Sequence, residues 1–378
     1  MHNRLEIRDT LKRKLLAGVN IHMPAPRRIG KTWTMNRLAS DLTDEGWNAI
    51  VIDVQGMRSP IEFARELCRR IETHITMKEK FKTHLGQRLS NILAGNWGDK
   101  PLEALGKIDP IEFLDSLICS LNETSAKSAI LVDEVAYFFL KCAEDDSEKA
   151  KDFAYKLRAL TLRYKNVRWL LTGSIGLNII AKQYGLEGAF VDYETLILEP
   201  FTPDQARSYL RDPAVQQQLN HMFDAEHDVF NDMFAELGWL TPFYLKLVAN
   251  EVRPSTPKTK SCPAKATRPD FEAAFETLLQ PNRNSEFAVW REHVEKNFPK
   301  PDGEIAMKLL GRISEDQNGD TLDTLIAFLE PVNAATTKNQ VRYVLSMLMN
   351  DGIISYISGR YKFRSGLIRR YWKEYEVT

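Results

Sequence analysis

The stretch that most constrains this chain is Ala25-Pro26-Arg27-Arg28-Ile29-Gly30-Lys31-Thr32. It follows the apolar-rich residues 17–23 and leads into Trp33-Thr34-Met35-Asn36-Arg37-Leu38-Ala39, which predicts the order strand, tight loop, helix. That order turns consecutive backbone N–H groups and a helix N-terminus toward an anion. Gly30 lets phosphate oxygens approach the main chain where a Cβ would collide with them. Lys31 supplies a point charge for β- and γ-phosphates, and the Thr32 hydroxyl is suited to ligate Mg²⁺. Ala25 stands where glycine is usual, and its methyl is small enough to keep the turn. The expected ligand is a nucleotide, held by Pro26, Arg27, Arg28, Ile29, Gly30, Lys31, Thr32 and Trp33.

A second motif answers the first. Ser128-Ala129-Ile130-Leu131-Val132-Asp133-Glu134 is an apolar strand ending in two acids. Asp133 is placed to hold Mg²⁺ opposite Thr32, and Glu134 to orient or deprotonate an attacking water. A strand ending in solvated acids is common by itself. About a hundred residues after a phosphate loop, with another strand between, the pattern becomes specific. Val167-Arg168-Trp169-Leu170-Leu171-Thr172-Gly173-Ser174 adds a parallel strand with polar groups at its C-terminal end, where open α/β sheets bind ligands. Thr172 or Ser174 is therefore a candidate sensor of the γ-phosphate. Residues 48–54 form a further buried strand ending at Asp53, for which a capping role is favoured over a nucleotide contact. Arg158, Arg163 and Arg168 precede the fourth strand, and solvation is the commoner fate of such side chains. A fifth strand is expected at residues 195–198.

A chain of 378 residues exceeds one ordinary core, so two or three domains are expected. Lys+Arg and Asp+Glu both number 51, so nucleic-acid binding has to come from a local basic patch. Cys68, Cys119, Cys142 and Cys262 lack the spacing of a zinc site or a disulfide framework, which fits a reducing cytoplasm. The apolar runs are strand-sized, so no membrane partner is expected, and the N-terminus reads as a helix, not as a signal peptide.

Residues 77–109, with Gly86, Gly95, Trp97, Gly98 and Pro101, have weak periodicity and suggest an insertion over the sheet edge. Helices dominate from Thr202-Pro203-Asp204-Gln205, an N-cap with proline in the first turn, through Gly238-Trp239-Leu240-Thr241-Pro242. Residues 253–270 are proline-rich and basic, as in an exposed linker. Helical patterns at 303–313, 322–329 and 338–349 then precede two short strands, 353–357 and 361–363, around Ser358-Gly359-Arg360. That is the pattern of a winged helix. Lys338, Asn339 and Arg342 face outward, and Arg360 and Lys362, with Arg364, Arg369 and Arg370, add charge around the hairpin. The first five are candidate contacts to double-stranded DNA, although winged helices also dock proteins. The expected domains are an ATPase core (1–201), a helical lid (202–252), a basic linker or loop (253–270) and a winged-helix domain (271–378).

In chain order, Pro26-Arg27-Arg28-Ile29-Gly30-Lys31-Thr32, Leu131-Val132-Asp133-Glu134, Leu171-Thr172-Gly173-Ser174, Leu198-Glu199-Pro200-Phe201 and Gly238-Trp239-Leu240-Thr241-Pro242-Phe243-Tyr244 together resemble the archaeal-type ATPases of the STAND/AAA-like group. The resemblance implies an α/β P-loop NTPase core with a parallel sheet of order 5-1-4-3-2, then a helical lid and a winged helix. It implies ATP/ADP with Mg²⁺ as ligands, Lys31 and Thr32 at the phosphates and metal, Asp133 on Mg²⁺ and Glu134 as catalytic base. Pro242 maps onto the family's lid proline near the nucleotide.

The expected function is a slow ATP-dependent switch that couples nucleotide state to DNA or to a partner protein. The family context adds mobile-element or anti-phage biology beside an effector protein, and nucleotide-dependent self-assembly is a further expectation. Two alternatives stand beside it. One is a replication-initiator-like ATPase loading onto duplex DNA as an oligomer. The other is a non-hydrolysing adaptor, against which the intact Glu134 argues.

Overall fold

A computed structural model of the chain describes residues 4–73, 78–93, 101–174, 176–257, 264–283, 287, 290–292, 294–295, 298, 300–330 and 337–375, with backbone alone for 78–81. The chain divides into two compact units. Arg4–Pro26 and Lys31–Leu198 form the first; Arg27–Gly30 belong with the chain from Glu199 onward.

The first unit is built on five parallel strands, β1 (Asn20–Pro24), β2 (Asn48–Asp53), β3 (Ser128–Asp133), β4 (Val167–Gly173) and β5 (Tyr193–Thr195). They lie in the order β2-β3-β4-β1-β5, the expected 5-1-4-3-2 arrangement. Every residue of β3 is buried, which is why its sequence is a continuous apolar run and does not alternate. The helices of this unit are α1 (Leu5–Leu16), α2 (Lys31–Asp44), α3 (Pro60–Thr73), α4 (Lys78–Ile92), α5 (Pro101–Leu105), α6 (Pro110–Asn122), α7 (Val135–Asp145), α8 (Ser147–Arg163) and α9 (Leu177–Tyr184). α6 starts where Asp109 accepts from the Ile111 and Glu112 N–H groups at 2.8 and 3.3 Å, with Pro110 in the first turn. Phe63, Phe138, Phe139 and Phe153 tie α3, α7 and α8 together, with ring centroids 5.2 to 6.0 Å apart.

Two expectations need correction, one in this unit and one in the second. The fifth strand is Tyr193–Thr195, not 195–198. It is an edge strand that pairs only with β1 through Tyr193, Glu194 and Thr195, so the apolar Ile197 beyond it is 59% exposed. The stretch 77–109 contains helices α4 and α5; Leu85 and Leu89, four residues apart, are fully buried on one face of α4. Gly95, Trp97 and Gly98 lie outside the described residues.

The second unit continues with α10 (Pro203–Arg211), α11 (Pro213–Gln216), β6 (Asp224–Ala225), α12 (His227–Leu237), α13 (Pro242–Glu251), β7 (Lys265–Ala266) and α14 (Arg268–Leu278). A full capping box starts α10: Gln205 N–H donates to the Thr202 hydroxyl, and Thr202 N–H to the Gln205 side chain. Residues 264–270 are not linker. β7 pairs with β6, Ala264 and Ala266 are buried, and Thr267 with Asp270 caps α14. Helices Asp302–Glu315, Leu322–Leu329 and Lys338–Asp351 lead to β8 (Ile354–Ile357) and β9 (Arg360–Phe363), followed by helix Gly366–Tyr375. The hairpin turns on Ser358 and Gly359, at φ 52 and 80, the left-handed pair that suits a two-residue antiparallel turn. Among the described residues no helix is long and apolar enough to cross a membrane.

Phe138 meets each of the other three rings of the aromatic cluster. Phe138→Ala is expected to destabilise the first unit by about 3–5 kcal/mol, and Phe138→Leu by clearly less. Urea unfolding followed by near-ultraviolet circular dichroism measures both.

Candidate functional site

β1 ends at Pro24, and Ala25 N–H continues its ladder to the Gly173 carbonyl at 3.1 Å. The loop then takes left-handed backbone at Arg28 (φ 69) and Gly30 (φ 96) before α2 begins at Lys31. Gly30 pays no steric penalty for this; Arg28, with a Cβ, does. Ala25 and Ile29 are buried and anchor the loop, while Arg28 is exposed.

The first unit brings six of the expected side chains into one network. Lys31 sits in the first turn of α2 with Nζ 2.9 Å from Asp133 Oδ1 and against Glu134 Oε1. The Thr32 hydroxyl donates to Asp133 Oδ2 at 2.7 Å, and the Thr172 hydroxyl to Asp133 Oδ1 at 2.6 Å. Ser174 donates from its backbone N–H and its hydroxyl to Glu134 Oε2, both at 3.0 Å. Glu134 itself is left-handed, at φ 58 and ψ 35, which turns the chain from β3 into α7 within one residue. Lys31 and Asp133 are buried.

Burial would raise the Asp133 carboxyl, but the Lys31 charge and the hydrogen bonds from Thr172, Lys31 and Thr32 outweigh it and hold it below the usual carboxylate range. Asp53, the register partner of Asp133 in β2, goes the other way. Burial raises it, against the Gln55 N–H, and the charges of Asp133 and Glu134 add to the rise. Its Oδ1 accepts from Gln55 N–H at 3.0 Å, the capping role expected of it.

The donor set fits Mg²⁺. Thr32 and Asp133 present adjacent hard oxygens, and Asp133 is kept ionised. Among the described residues no group of three or more His, Cys, Asp or Glu side chains could hold a metal, so an all-protein cage is absent there.

Trp33 lies one residue further along α2, with the guanidinium carbons of Arg37 and Arg8 5.6 and 5.9 Å from its ring centroid. Arg158 pairs with Asp192 at 2.5 Å and Arg163 with Asp115 at 2.8 Å, so both are engaged within the unit. In the second unit, Pro242 opens α13 behind the Thr241 cap. The Arg28 guanidinium lies 4.1 Å from the Phe243 ring centroid. No local pattern pairs these two residues; the one hint is that Phe243 follows the expected lid proline.

Of the candidate DNA contacts, Lys338, Asn339, Arg342 and Arg360 are exposed and Lys362 is half-buried. Arg360 also donates to the Gly319 carbonyl at 2.7 Å, and Lys338 lies 3.8 Å from Asp323. The other three arginines of this region are already used. Arg364 donates to the Ile354 and Met349 carbonyls, Arg369 to the Ser314 carbonyl, and Arg370 pairs with Glu236 and Glu276. Their charge is spent inside the fold and does not ring the hairpin.

No family model matches the sequence, and no curated protein matches it. Solved structures do. A Walker-type ATPase of Pyrococcus abyssi is 16% identical, with 98% of this chain and 95% of that one covered at a TM-score of 0.68. The ORC2 protein of Aeropyrum pernix, in its ADPNP–ADP complexes, is 11% identical, with 99% and 93% covered at a TM-score of 0.57. The chain shares the fold of these two proteins.

Because Asp133 is depressed in the folded chain, its contribution to stability is present above the unfolded carboxylate value of about 3.9 and is lost as pH falls through the folded value. The urea midpoint of the wild type is therefore expected to exceed that of Asp133→Asn at neutral pH. The gap should close on acidification. A gap independent of pH contradicts the assignment.

Proposed function

We propose that this protein is a Mg²⁺-dependent P-loop ATPase that works in the manner of a replication initiator, binding duplex DNA through a C-terminal winged helix. The observation that carries the ATPase reading is the Lys31 ammonium lying against both acids at the end of β3, with Thr32 and Thr172 on the first acid and Ser174 on the second. In this reading the loop N–H groups and Lys31 bind the β- and γ-phosphates, and Trp33 adds to the nucleotide's surroundings. Thr32 and Asp133 would hold Mg²⁺, which when bound neutralises charge on the phosphoryl oxygens. Thr172 keeps the Asp133 oxygens oriented. Glu134, aligned by the two Ser174 donors, accepts a proton from the water as its oxygen attacks the γ-phosphorus. A bound triphosphate competes for Lys31, which frees Glu134 Oε1 for that water. ADP and phosphate are the products.

The initiator reading is preferred to a partner-docking switch for two reasons. The fold likeness to an archaeal ORC2 protein extends over nearly the whole chain, C-terminal region included. Lys338, Asn339 and Arg342 are exposed in the first two turns of helix Lys338–Asp351, and Arg360 is exposed at the hairpin turn. That set is suited to phosphate and groove contacts. Assembly into an oligomer on DNA belongs to the same proposal.

Lys31→Ala, checked for folding by circular dichroism, is expected to abolish ATP binding. Glu134→Gln is expected to retain it while phosphate release falls about a hundredfold or more. Unimpaired turnover in Glu134→Gln contradicts the mechanism. For DNA, Arg342→Ala with Arg360→Ala is expected to weaken duplex binding alike on different sequences and to flatten its salt dependence by about one unit of slope per lost contact. Unchanged duplex affinity in that double variant returns the C-terminal region to a protein-docking role.

A further inference from the structure

Residues 238–243 are gripped at both ends within the second unit. At the C-terminal end, the Arg28 guanidinium lies over the Phe243 ring, and a Cβ placed on Gly30 would stand 3.8 Å from Pro242 Cγ. At the N-terminal end, the Arg364 guanidinium lies 5.6 Å from the Trp239 ring centroid. A Cβ on Gly238 would stand 2.8 Å from the Arg364 carbonyl oxygen, and one on Gly366 would run into the Glu236 carbonyl. Gly238 is also left-handed, at φ 72, so a side chain there is refused both by the backbone and by its neighbour. Arg364 is itself fixed, with Nε 3.0 Å from the Ile354 carbonyl and Nη2 3.1 Å from the Met349 carbonyl. Arg370 Nη1 holds Glu236 of α12 at 3.3 Å. Between the two grips the segment has little slack. Leu240 accepts from Phe201 N–H at 2.8 Å, and Thr241 caps α13.

The phosphate loop has a matching need. A left-handed arginine persists only where surrounding structure holds it, and the ring of Phe243 is the aromatic contact on the Arg28 side chain. We propose that Phe243 is a positioning residue: its ring holds Arg28, and through that contact the segment 238–243, anchored by Arg364 of the C-terminal region, sets how tightly the loop binds a nucleoside triphosphate. This rests on the reading of residues 25–32 as a phosphate loop. Phe243 touches no reacting atom and acts only through Arg28. Changes around Arg364 therefore reach nucleotide affinity through residues that contact no nucleotide.

The test is equilibrium binding of a fluorescent ATP analogue with Mg²⁺, with phosphate release measured in parallel. Phe243→Leu keeps the apolar volume and removes the aromatic face, and is expected to raise Kd about two- to fivefold while kcat stays unchanged. Phe243→Tyr, which keeps the face, restores wild-type affinity. Arg364→Met raises Kd in the same direction; where it also lowers the melting temperature, Trp239→Leu takes its place. Wild-type affinity in Phe243→Leu overturns the proposal. So does a Tyr variant as weak as the Leu variant, since filling space would then be the whole role of the ring. Lys31→Ala in the same assay separates the two claims. Its loss of binding beside an unaffected Phe243→Leu leaves the phosphate loop standing and removes only the coupling. Absence of binding in the wild type removes both.

Discussion

The structure depends on one buried cation between a buried acid and a half-buried one. Asp133 and Glu134 are adjacent in sequence at the end of a fully buried strand, and without Lys31 their charges would face each other in a poorly solvated site. Deleting one partner of such an arrangement commonly costs about 3–5 kcal/mol, because it leaves uncompensated charge. The hydrogen bonds from Thr32, Thr172 and Ser174 take up the remaining carboxylate lone pairs. Each of these groups sits at the C-terminal end of a parallel strand or at the start of the helix that follows, so the sheet order itself builds the network. Such a site holds two negative groups at rest and is already shaped to share its cation with a third.

Much of this was legible in the sequence, for identifiable reasons. Residues 128–133 and, beyond the half-buried Arg168, 169–173 are buried, so the apolar runs Ala129–Val132 and Trp169–Leu171 are unbroken and the polar residues that end them stand out. Gly30, Lys31 and Thr32 were legible because a strand-to-helix turn at that point admits few residue types. Asp109, Thr202 and Thr337 each precede a helix whose start they fix by capping, and the helices after Thr202 and Thr337 begin where the sequence put them.

What was not legible follows from contacts distant in sequence. β5 is short and polar because one neighbour suffices at an edge, so its apolar neighbours misplaced it. The proline and lysine content of 253–270 suggested solvent, yet two residues of that stretch complete a small sheet begun some forty positions earlier, Asp224 with Lys265 and Ala225 with Ala266. Arg364 and Arg370 belong to a basic run by sequence, but carbonyls and glutamates brought to them by the fold absorb them. Charge counted along a chain does not say which charges remain for a partner. The contact of Arg28 with Phe243 has the same character, since nothing local links residues so far apart.

The most direct measurement is a structure of the protein with a slowly hydrolysed ATP analogue and Mg²⁺. The β- and γ-phosphates are expected against Lys31 Nζ and the residue 27–32 backbone, the metal on the Thr32 hydroxyl and Asp133, and Lys31 withdrawn from Glu134 while Ser174 keeps its hold. A nucleotide bound elsewhere, or a Lys31 that stays on Glu134 with the site filled, would contradict it.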